Sequence, residues 1–248
     1  MDSTTASGDA RLALVTGASK GLGKVVATFL AGHGYDLLLT ARTAADLTET
    51  ARDIEAMGFE GPVETVVGDV TDLAHRDALR KYVDERGGLD LLVNNASTLG
   101  PSPLPPLAEY PLADLEAVFE TNAVAPLALI QALLPALAAR SGLVVNITSD
   151  AGVEGYPGWG GYGASKAALE LLSKTLAAEL EGEVGVVIVD PGDMRTDMHQ
   201  QAYPGEDITD RPLPDITLPF WGWLLGQDPL AINGRRFQAQ ADYWEAAP

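Results

Sequence analysis

The chain has 248 residues, of which 46% are hydrophobic, so it can fold as one large domain with a sizeable core. It contains no cysteine, which excludes disulfides and thiolate metal sites, and its three histidines show no paired-ligand spacing, so we expect no metal. The formal net charge of -19 repels polyphosphate backbones, so nucleic acid is not an expected partner.

Residues 1–10 lack the basic and apolar regions of a signal peptide. The longest apolar tract, at residues 124–139, is interrupted by two prolines and a glutamine and is shorter than the about 20 residues that a membrane helix requires. We therefore expect a cytoplasmic protein without membrane contact. Residues 1–10 are predicted to be a flexible tail, and residues 11–248 a single domain.

A glycine-rich loop follows the first predicted strand, at residues 12–15, and precedes a stretch of helical composition at residues 25–31. Glycines in this context allow backbone N–H groups at a helix start to hold a pyrophosphate. A structural turn would explain one or two of these glycines, but three at this spacing favour dinucleotide binding. The predicted contacts are Gly17, Ser19, Lys20, Gly21, Leu22 and Gly23.

The glycine spacing is GxxxGxG after a threonine, and this TGxxxGxG motif resembles that of the short-chain dehydrogenase/reductase family. The resemblance extends from Leu12 to about Gln240. It implies an α/β fold, namely a single-domain Rossmann-type doubly wound parallel sheet of about seven strands with helices on both faces. It also implies an oxidoreductase that uses a nicotinamide cofactor.

The end of the second predicted strand, at residues 36–40, indicates which cofactor is used. An acidic residue there suits a free ribose 2′-hydroxyl, whereas a cation suits a 2′-phosphate. Ala41 stands where family members that use NAD have an acid, and Arg42 and Lys20 are close in sequence. NADP is therefore preferred, although NAD remains possible and Arg42 could be a solvated loop residue.

Further cofactor contacts come from the resemblance. It implies that Asp69 receives the adenine amino group and that Val70 packs on the ring, although Asp69 could equally serve the turn itself. The strand at residues 89–93 leads to Asn95 and Ala96, where the family pattern is NNAG. Ser97 replaces the glycine of that pattern and puts a close backbone approach at this position in doubt.

A long apolar helix with internal prolines is predicted at residues 112–139. Pro126 has no N–H, so the carbonyl of Asn122 loses its helical partner. The resemblance implies that this carbonyl holds a water that links the catalytic lysine to solvent. An ordinary proline kink is the alternative.

Tyr162 and Lys166 are the candidate catalytic pair. If residues 163–180 form a helix, the two side chains lie one turn apart on one face. Two unit charges about 4 Å apart near a surface attract by about 4 kcal/mol, so we expect the ammonium to lower the phenol pKa towards neutrality. The YxxxK pattern alone is common, but Ser149 follows the strand predicted at residues 143–147, at the edge where ligands bind. The resemblance assigns the catalytic positions to Asn122, Ser149, Tyr162 and Lys166.

The last part of the chain is predicted to complete the site. A sixth strand at residues 184–189 ends at a proline–glycine pair, and the resemblance implies that the nicotinamide end is received by Pro191, Gly192, Met194 and Thr196. Residues 193–225 are a predicted substrate lid, polar at 197–215, and within them residues 217–226 are expected to form a helix that covers the core. A last strand is predicted at residues 236–240. Direct substrate contacts are predicted for Ser149, Trp159 and Tyr162.

The sequence thus predicts an NADP-dependent enzyme that reduces a small, apolar carbonyl compound to an alcohol, or catalyses the reverse. A 3-oxoacyl-carrier-protein reductase is an alternative, but carriers are acidic and this chain shows no local basic patch. A regulator that senses NADP(H) without chemistry is a second alternative, for which four catalytic side chains would be superfluous. By resemblance we expect a homodimer or homotetramer.

Overall fold

Seven parallel strands form one sheet in the computed structural model, which describes residues 10–246. Apart from Ala10, the predicted flexible tail lies outside the described residues. The strands are β1 (Arg11–Thr16), β2 (Tyr35–Ala41), β3 (Val63–Val67), β4 (Leu91–Asn94), β5 (Leu143–Ile147), β6 (Gly185–Asp190) and β7 (Arg236–Gln238). Their order in the sheet is β3-β2-β1-β4-β5-β6-β7. The helices are α1 (Gly21–Ala31), α2 (Ala44–Ala56), α3 (Leu73–Glu85), α4 (Leu112–Phe119), α5 (Ala125–Ala138), α6 (Gly160–Glu179), α7 (Asp197–Ala202) and α8 (Leu218–Leu224).

Apolar cores cover both faces of this sheet. In β1, Val15 belongs to a cluster that includes residues of α1 and α8, whereas its neighbour Leu14 belongs to a cluster with residues of α3 and α5. Alternate residues of one strand point to opposite faces, so a strand that is buried on both sides must be apolar throughout. The prediction of a doubly wound sheet of about seven strands is confirmed.

The order of the strands reverses next to β1, which pairs with β2 on one side and with β4 on the other. In open parallel sheets, this reversal leaves a crevice at the carboxyl ends of the strands, where ligands bind. The loops after β1, β4, β5 and β6 all begin at this carboxyl edge of the sheet, and they carry most of the predicted site residues.

The predicted helix at residues 112–139 is interrupted. Between α4 and α5 the backbone widens into a π-helical turn, Glu120–Val124, where the N–H of Ala125 bonds to the carbonyl of Glu120. Among the described residues, Leu112–Ala138 is the one helical stretch with the length and mean hydropathy (1.5) of a membrane span. Half of its most apolar window is buried within the protein, however, which is typical of a core helix.

The helix α8 packs in the core, as expected for residues 217–226. Phe220 and Trp221 are completely buried, and the Phe220 ring lies 5.8 Å from the ring of Phe237 in β7 and 5.4 Å from that of Trp244. A side chain in such a cluster cannot leave without exposing a large apolar surface. The part of the predicted lid that forms α8 is therefore fixed in the core, and a cover formed by residues 193–217 stays a prediction.

Candidate active site

The glycine loop between β1 and α1 has a backbone that only glycine suits. Gly17 and Gly21 have φ angles of 65° and 56°, in the left-handed region. A Cβ on Gly23 would lie 2.3 Å from the Gly17 carbonyl oxygen and 2.5 Å from Nδ2 of Asn95. The loop is further fixed by Asn95, whose Nδ2 donates to the Thr16 carbonyl oxygen at 2.9 Å. A cradle of this kind, at the start of a helix, fits a dinucleotide pyrophosphate.

One cavity of about 970 Å³ joins this loop to Tyr162. This volume suits a ligand of dinucleotide size together with a small substrate. Gly23 packs beneath the loop and Asn122 is buried, but the other predicted site residues all line the cavity. They are Gly17, Ser19, Lys20, Gly21, Leu22, Arg42, Asp69, Val70, Asn95, Ala96, Ser149, Trp159, Tyr162, Lys166, Pro191, Gly192, Met194 and Thr196.

The two cations that suggested NADP have different surroundings. Lys20 forms an ion pair with Asp197 at 2.7 Å, between two exposed side chains, so it connects the glycine loop to the lid. Arg42 is exposed, lines the cavity and has no ion pair within 4 Å among residues 10–246. Arg42 is therefore the cation with its charge available for a 2′-phosphate.

Asp69 serves the turn after β3, which was the alternative interpretation of this residue. Its Oδ1 accepts bonds from the N–H and the hydroxyl of Thr71, both at 2.9 Å. Partial burial acts to raise the pKa of Asp69, but these bonds and the charge of Arg42 hold that pKa below its ordinary value. Asp69 also lines the cavity, so the turn fixes a carboxylate that can face a ligand.

The side chains of Tyr162 and Lys166 lie together near the start of α6, as predicted. They are 8% and 2% exposed, and the ammonium nitrogen of Lys166 lies 5.5 Å from the centre of the Tyr162 ring. The same nitrogen donates a 2.9 Å hydrogen bond to the carbonyl oxygen of Ile147, at the end of β5. The carboxyl end of β5 therefore fixes the lysine beside the phenol.

The expected lowering of the phenol pKa by Lys166 is not what the structure shows. Burial raises the pKa of Tyr162, and the carboxylates of Asp190 and Asp150 raise it further, while hydrogen bonds with Ser97 and Ser149 act in the opposite direction. Burial also lowers the pKa of Lys166 to about 7, so near neutral pH its charge is only partial. Tyr162 therefore carries its proton at neutral pH, as a proton donor must.

Ser149 precedes a short 3₁₀ turn, Asp150–Gly152, at the end of β5. Its Oγ donates to Oδ1 of Asp150 at 2.9 Å and accepts from the N–H of Ala151 at 3.2 Å. The side chain also acts to lower the pKa of Tyr162 and lines the same cavity. The serine and the phenol therefore both face a ligand in that cavity.

Asn122 is completely buried in the π-helical turn. Its Oδ1 accepts from the N–H of Thr98 at 2.8 Å and from Oγ of Ser97 at 3.0 Å, and its Nδ2 donates to Oγ of Ser165 at 3.0 Å. Because Pro126 has no N–H, the Asn122 carbonyl lacks its usual helical donor. π-Turns inside helices occur frequently at functional sites, and Asn122 lies within this one.

A buried network behind Ser149 could not be predicted from the sequence. Arg236 in β7 donates to Glu170 on α6 at 3.0 Å, to Asp190 at the end of β6 at 3.1 Å, and to the Ser149 carbonyl oxygen at 3.3 Å. Glu170 also accepts from Thr148 at 2.8 Å. The network holds the ends of β5 and β6 together under the site. The members of this network are far apart in the chain. The one local signal in the sequence is Asp190, a carboxylate that stands directly before the proline–glycine pair at the end of β6.

Aromatic side chains line the cavity beside the phenol. The Trp159 ring lies 5.7 Å from that of Tyr162 and 6.2 Å from that of Tyr203 in the lid, and Met198 packs against the same cluster. Thr196 caps α7, since its hydroxyl accepts from the N–H of His199. This side of the cavity is therefore predominantly apolar.

The glycine cradle, the crevice and the buried tyrosine–lysine pair together define an oxidoreductase of the dinucleotide-binding α/β type. The model of the short chain dehydrogenase family matches residues 11–207. The chain belongs to the short-chain dehydrogenase family.

Two curated relatives illustrate the range of this family. The oxidoreductase YciK of Escherichia coli (strain K12) is 31% identical over 233 residues, which cover 93% of this chain and 92% of YciK. The 3-oxoacyl-[acyl-carrier-protein] reductase FabG of Staphylococcus epidermidis (strain ATCC 35984) is 33% identical over 214 residues, or 85% of each chain.

Solved structures are similar over almost the whole chain. A short chain dehydrogenase from Pseudomonas syringae has a TM-score of 0.87 and 36% identity, covering 93% of this chain and 94% of its own. A short chain dehydrogenase from Shigella flexneri 2a, complexed with NADP, has a TM-score of 0.87 and 31% identity, covering 93% and 97%.

Proposed function

We propose that this protein is an NADP-dependent reductase that converts a small apolar ketone or aldehyde to an alcohol, or catalyses the reverse reaction. The observation that carries the proposal is the buried pair of Tyr162 and Lys166, which lies in the same cavity as the glycine cradle. A protein that only sensed the dinucleotide would not need an ionisable pair at this position.

The cavity contains residues suited to each part of NADP. The glycine loop would hold the pyrophosphate, Arg42 the 2′-phosphate, Asp69 and Val70 the adenine, and the loop from Pro191 to Thr196 the nicotinamide. The crystal structure of the Shigella flexneri relative with NADP supports this preference. The chemistry that bound NADPH supplies is a hydride for the carbonyl carbon.

The protein itself supplies the proton. Tyr162 is protonated at neutral pH, so it can donate to the carbonyl oxygen as negative charge develops there. Ser149, which lines the same cavity as the phenol, can donate a second hydrogen bond to that oxygen. Lys166 is beside the phenol, and the open carbonyl of Asn122 gives a water a place to bind between the lysine and solvent.

The substrate class follows from the lining of the cavity. Trp159 and Met198 provide aromatic and apolar contacts, and burial of such surface contributes about 25 cal/mol for each Å². A substrate with a hydrophobic group beside its carbonyl would gain most from these contacts. Residues 193–217 would close over it.

Reduction of a carrier-bound acyl chain is the second candidate, because relatives such as the Staphylococcus epidermidis enzyme carry that name. The carboxylates around the cavity disfavour it. Lys20 is paired with Asp197, and Arg211 with Asp193 and Asp210. On the outer surface the Tyr156 hydroxyl lies 3.0 Å from Oδ2 of Asp150 and 3.2 Å from Oε2 of Glu154, so it can donate to one of these carboxylates at a time. An acidic carrier would meet carboxylates here.

A panel of ketones and aldehydes, together with an acyl-carrier substrate, tests the proposal. The purified protein should consume NADPH with free apolar carbonyl compounds and more slowly with the carrier-bound substrate. Faster turnover of the carrier-bound substrate would favour the second candidate. NADPH binding without turnover of any carbonyl compound would identify a sensor instead.

A cytoplasmic location and a homodimeric or homotetrameric assembly stay predictions.

A further inference from the structure

The turn that follows β6, at residues 191–193, carries part of the surface that would receive the nicotinamide. Its three residues, Pro191, Gly192 and Asp193, all line the cavity. Gly192 has a φ angle of 73°, in the left-handed region, so the chain reverses sharply at this point. Such a turn keeps a single shape only if the polar groups of its main chain have partners.

Gln240, two residues beyond the end of β7, is the partner of two of these groups. Its Nε2 donates to the carbonyl oxygen of Pro191 at 2.9 Å and to that of Asp193 at 3.0 Å. This nitrogen carries two N–H groups, so both bonds can form at once. Because both partners are acceptors, only the NH₂ end of the amide can face the turn. A Cβ built on Gly192 would lie 2.6 Å from the same nitrogen, so the amide packs directly against the glycine.

Asp190 holds the same turn from the other side. Its Oδ1 accepts from the N–H of Gly192 at 3.0 Å, and its Oδ2 accepts from Arg236 of β7 at 3.1 Å. The carbonyl oxygen of Asp190 accepts from the N–H of Ala239 at 2.8 Å. Bonds from β7 and from the residues directly after it therefore fix the turn on both sides of the glycine.

Gln240 and Arg236 differ in what else they contact. Arg236 also bonds to Glu170 and to the carbonyl oxygen of Ser149, so its removal would disturb buried charges and the serine together. Gln240 is exposed and lies outside the cavity lining, and within residues 10–246 its side chain bonds only to the turn. Any effect of Gln240 on the site must therefore act through the turn.

We propose that Gln240 is a positioning residue for the nicotinamide, because its amide fixes the turn at residues 191–193 in the shape that receives this end of the cofactor. The inference rests on the proposed function, since hydride transfer requires the nicotinamide to be held close to the carbonyl carbon. A displacement of about 1 Å can lower the rate of such a step by about 100-fold.

Two ligands test this role without turnover. NADPH and 2′-phospho-ADP-ribose share the adenine, the 2′-phosphate and the pyrophosphate, but the second ligand lacks the nicotinamide. Gln240→Met keeps a long side chain and removes both donors. Isothermal titration should show NADPH binding to this variant about 5- to 10-fold more weakly, with an unchanged Kd for 2′-phospho-ADP-ribose.

Gln238→Met is the matched control for the titration. Gln238 is an exposed glutamine of β7, and its side chain forms no hydrogen bond within the described part of the chain. This variant should bind both ligands like the wild type. An unchanged Kd for NADPH in Gln240→Met, or an equal loss of affinity for both ligands, would overturn the proposal.

Single-turnover reduction of a ketone measures the positioning itself. When NADPH-loaded protein is mixed with ketone, the maximal rate of NADPH oxidation should fall about 10- to 100-fold in Gln240→Met. The ketone concentration that gives half of this rate should change by less than about twofold. Because Gln240 is exposed, we expect the melting temperature to fall by at most about 4 °C, so unfolding cannot account for the loss.

The two measurements separate this inference from the proposed function. An unchanged single-turnover rate in Gln240→Met would overturn the role of Gln240 alone. A wild-type protein that binds NADPH but reduces no carbonyl compound would overturn the proposed function alone, and the titration would still test whether Gln240 positions the nicotinamide.

Discussion

The ammonium nitrogen of Lys166 lies 5.5 Å from the centre of the Tyr162 ring, and both side chains are buried. Burial acts on the two groups in opposite directions, since it disfavours the charged form of each: it raises the pKa of the phenol and lowers that of the lysine to about 7. At a given pH, each of the two side chains is therefore uncharged to a greater extent than it would be in water.

The lysine makes the stability of the protein depend on pH. Between pH 7 and about pH 10 the unfolded chain binds a proton at Lys166 that the folded chain does not, so the free energy of unfolding rises with pH in this window. In Lys166→Met this contribution is lost. The wild-type value minus the variant value should increase with pH by up to about 1.4 kcal/mol per unit, measured by urea unfolding from pH 7 to pH 9.

Lys81→Met, at an exposed position on α3, is the matched control and should show no such difference. Parallel pH dependences for wild type and Lys166→Met would show that the buried lysine keeps an ordinary pKa.

Arg42 is expected to determine the choice between the two cofactors. Arg42→Ala removes a charge-assisted contact to the 2′-phosphate, so kcat/KM for NADPH relative to NADH should fall about 10- to 100-fold. Arg52→Ala on α2 is the control, because this residue is exposed and lies outside the cavity lining. An unchanged cofactor preference in Arg42→Ala would refute the role of Arg42.

The glycine cradle makes a steric prediction. In Gly23→Ala the new Cβ would lie 2.3 Å from the Gly17 carbonyl oxygen, so the loop must shift, at a cost of about 1–3 kcal/mol of stability. Isothermal titration should show weaker NADPH binding. Gly155→Ala places a Cβ where no atom lies within 4 Å and should bind NADPH like the wild type. Equal affinities in Gly23→Ala and wild type would mean that the loop does not hold the pyrophosphate.

Trp221 distinguishes the core from the lid. Trp221→Ala creates a cavity in a completely buried cluster and should lower the free energy of unfolding by about 3–5 kcal/mol. Leu171→Ala changes a side chain that is 68% exposed and should alter stability by at most about 0.5 kcal/mol. If Trp221→Ala lowered the free energy of unfolding by less than about 1 kcal/mol, α8 would belong to the lid and not to the core.

Local patterns were sufficient to predict most of the fold and much of the site. Two of these patterns involve only residues that are close in sequence, so they could be identified without the structure. They are the glycine spacing after β1 and the four-residue interval from Tyr162 to Lys166. Element boundaries differ by a few residues, as at α6, which begins at Gly160. The π-helical turn was not predicted as such, although Pro126 indicated that the Asn122 carbonyl lacks its usual helical donor.

Contacts between distant segments could not be predicted. Arg236 reaches Asp190 only because β7 pairs with β6, and Ser97 reaches Asn122 only because the segment after β4 lies against the π-helical turn. The phenol pKa was predicted in the wrong direction for a related reason. The attraction of a nearby cation could be calculated from the spacing, but the depth of burial that opposes it could not.

Ketone reduction by Tyr162→Phe tests the central claim most directly. The substitution removes the proton donor and keeps the ring, so kcat/KM should fall about 10²- to 10⁴-fold while the Kd for NADPH stays unchanged. Tyr243→Phe changes an exposed tyrosine outside the cavity in the same way and should retain full activity. Turnover at the wild-type rate in Tyr162→Phe, with NADPH bound normally, would contradict the assignment of this phenol as the proton source.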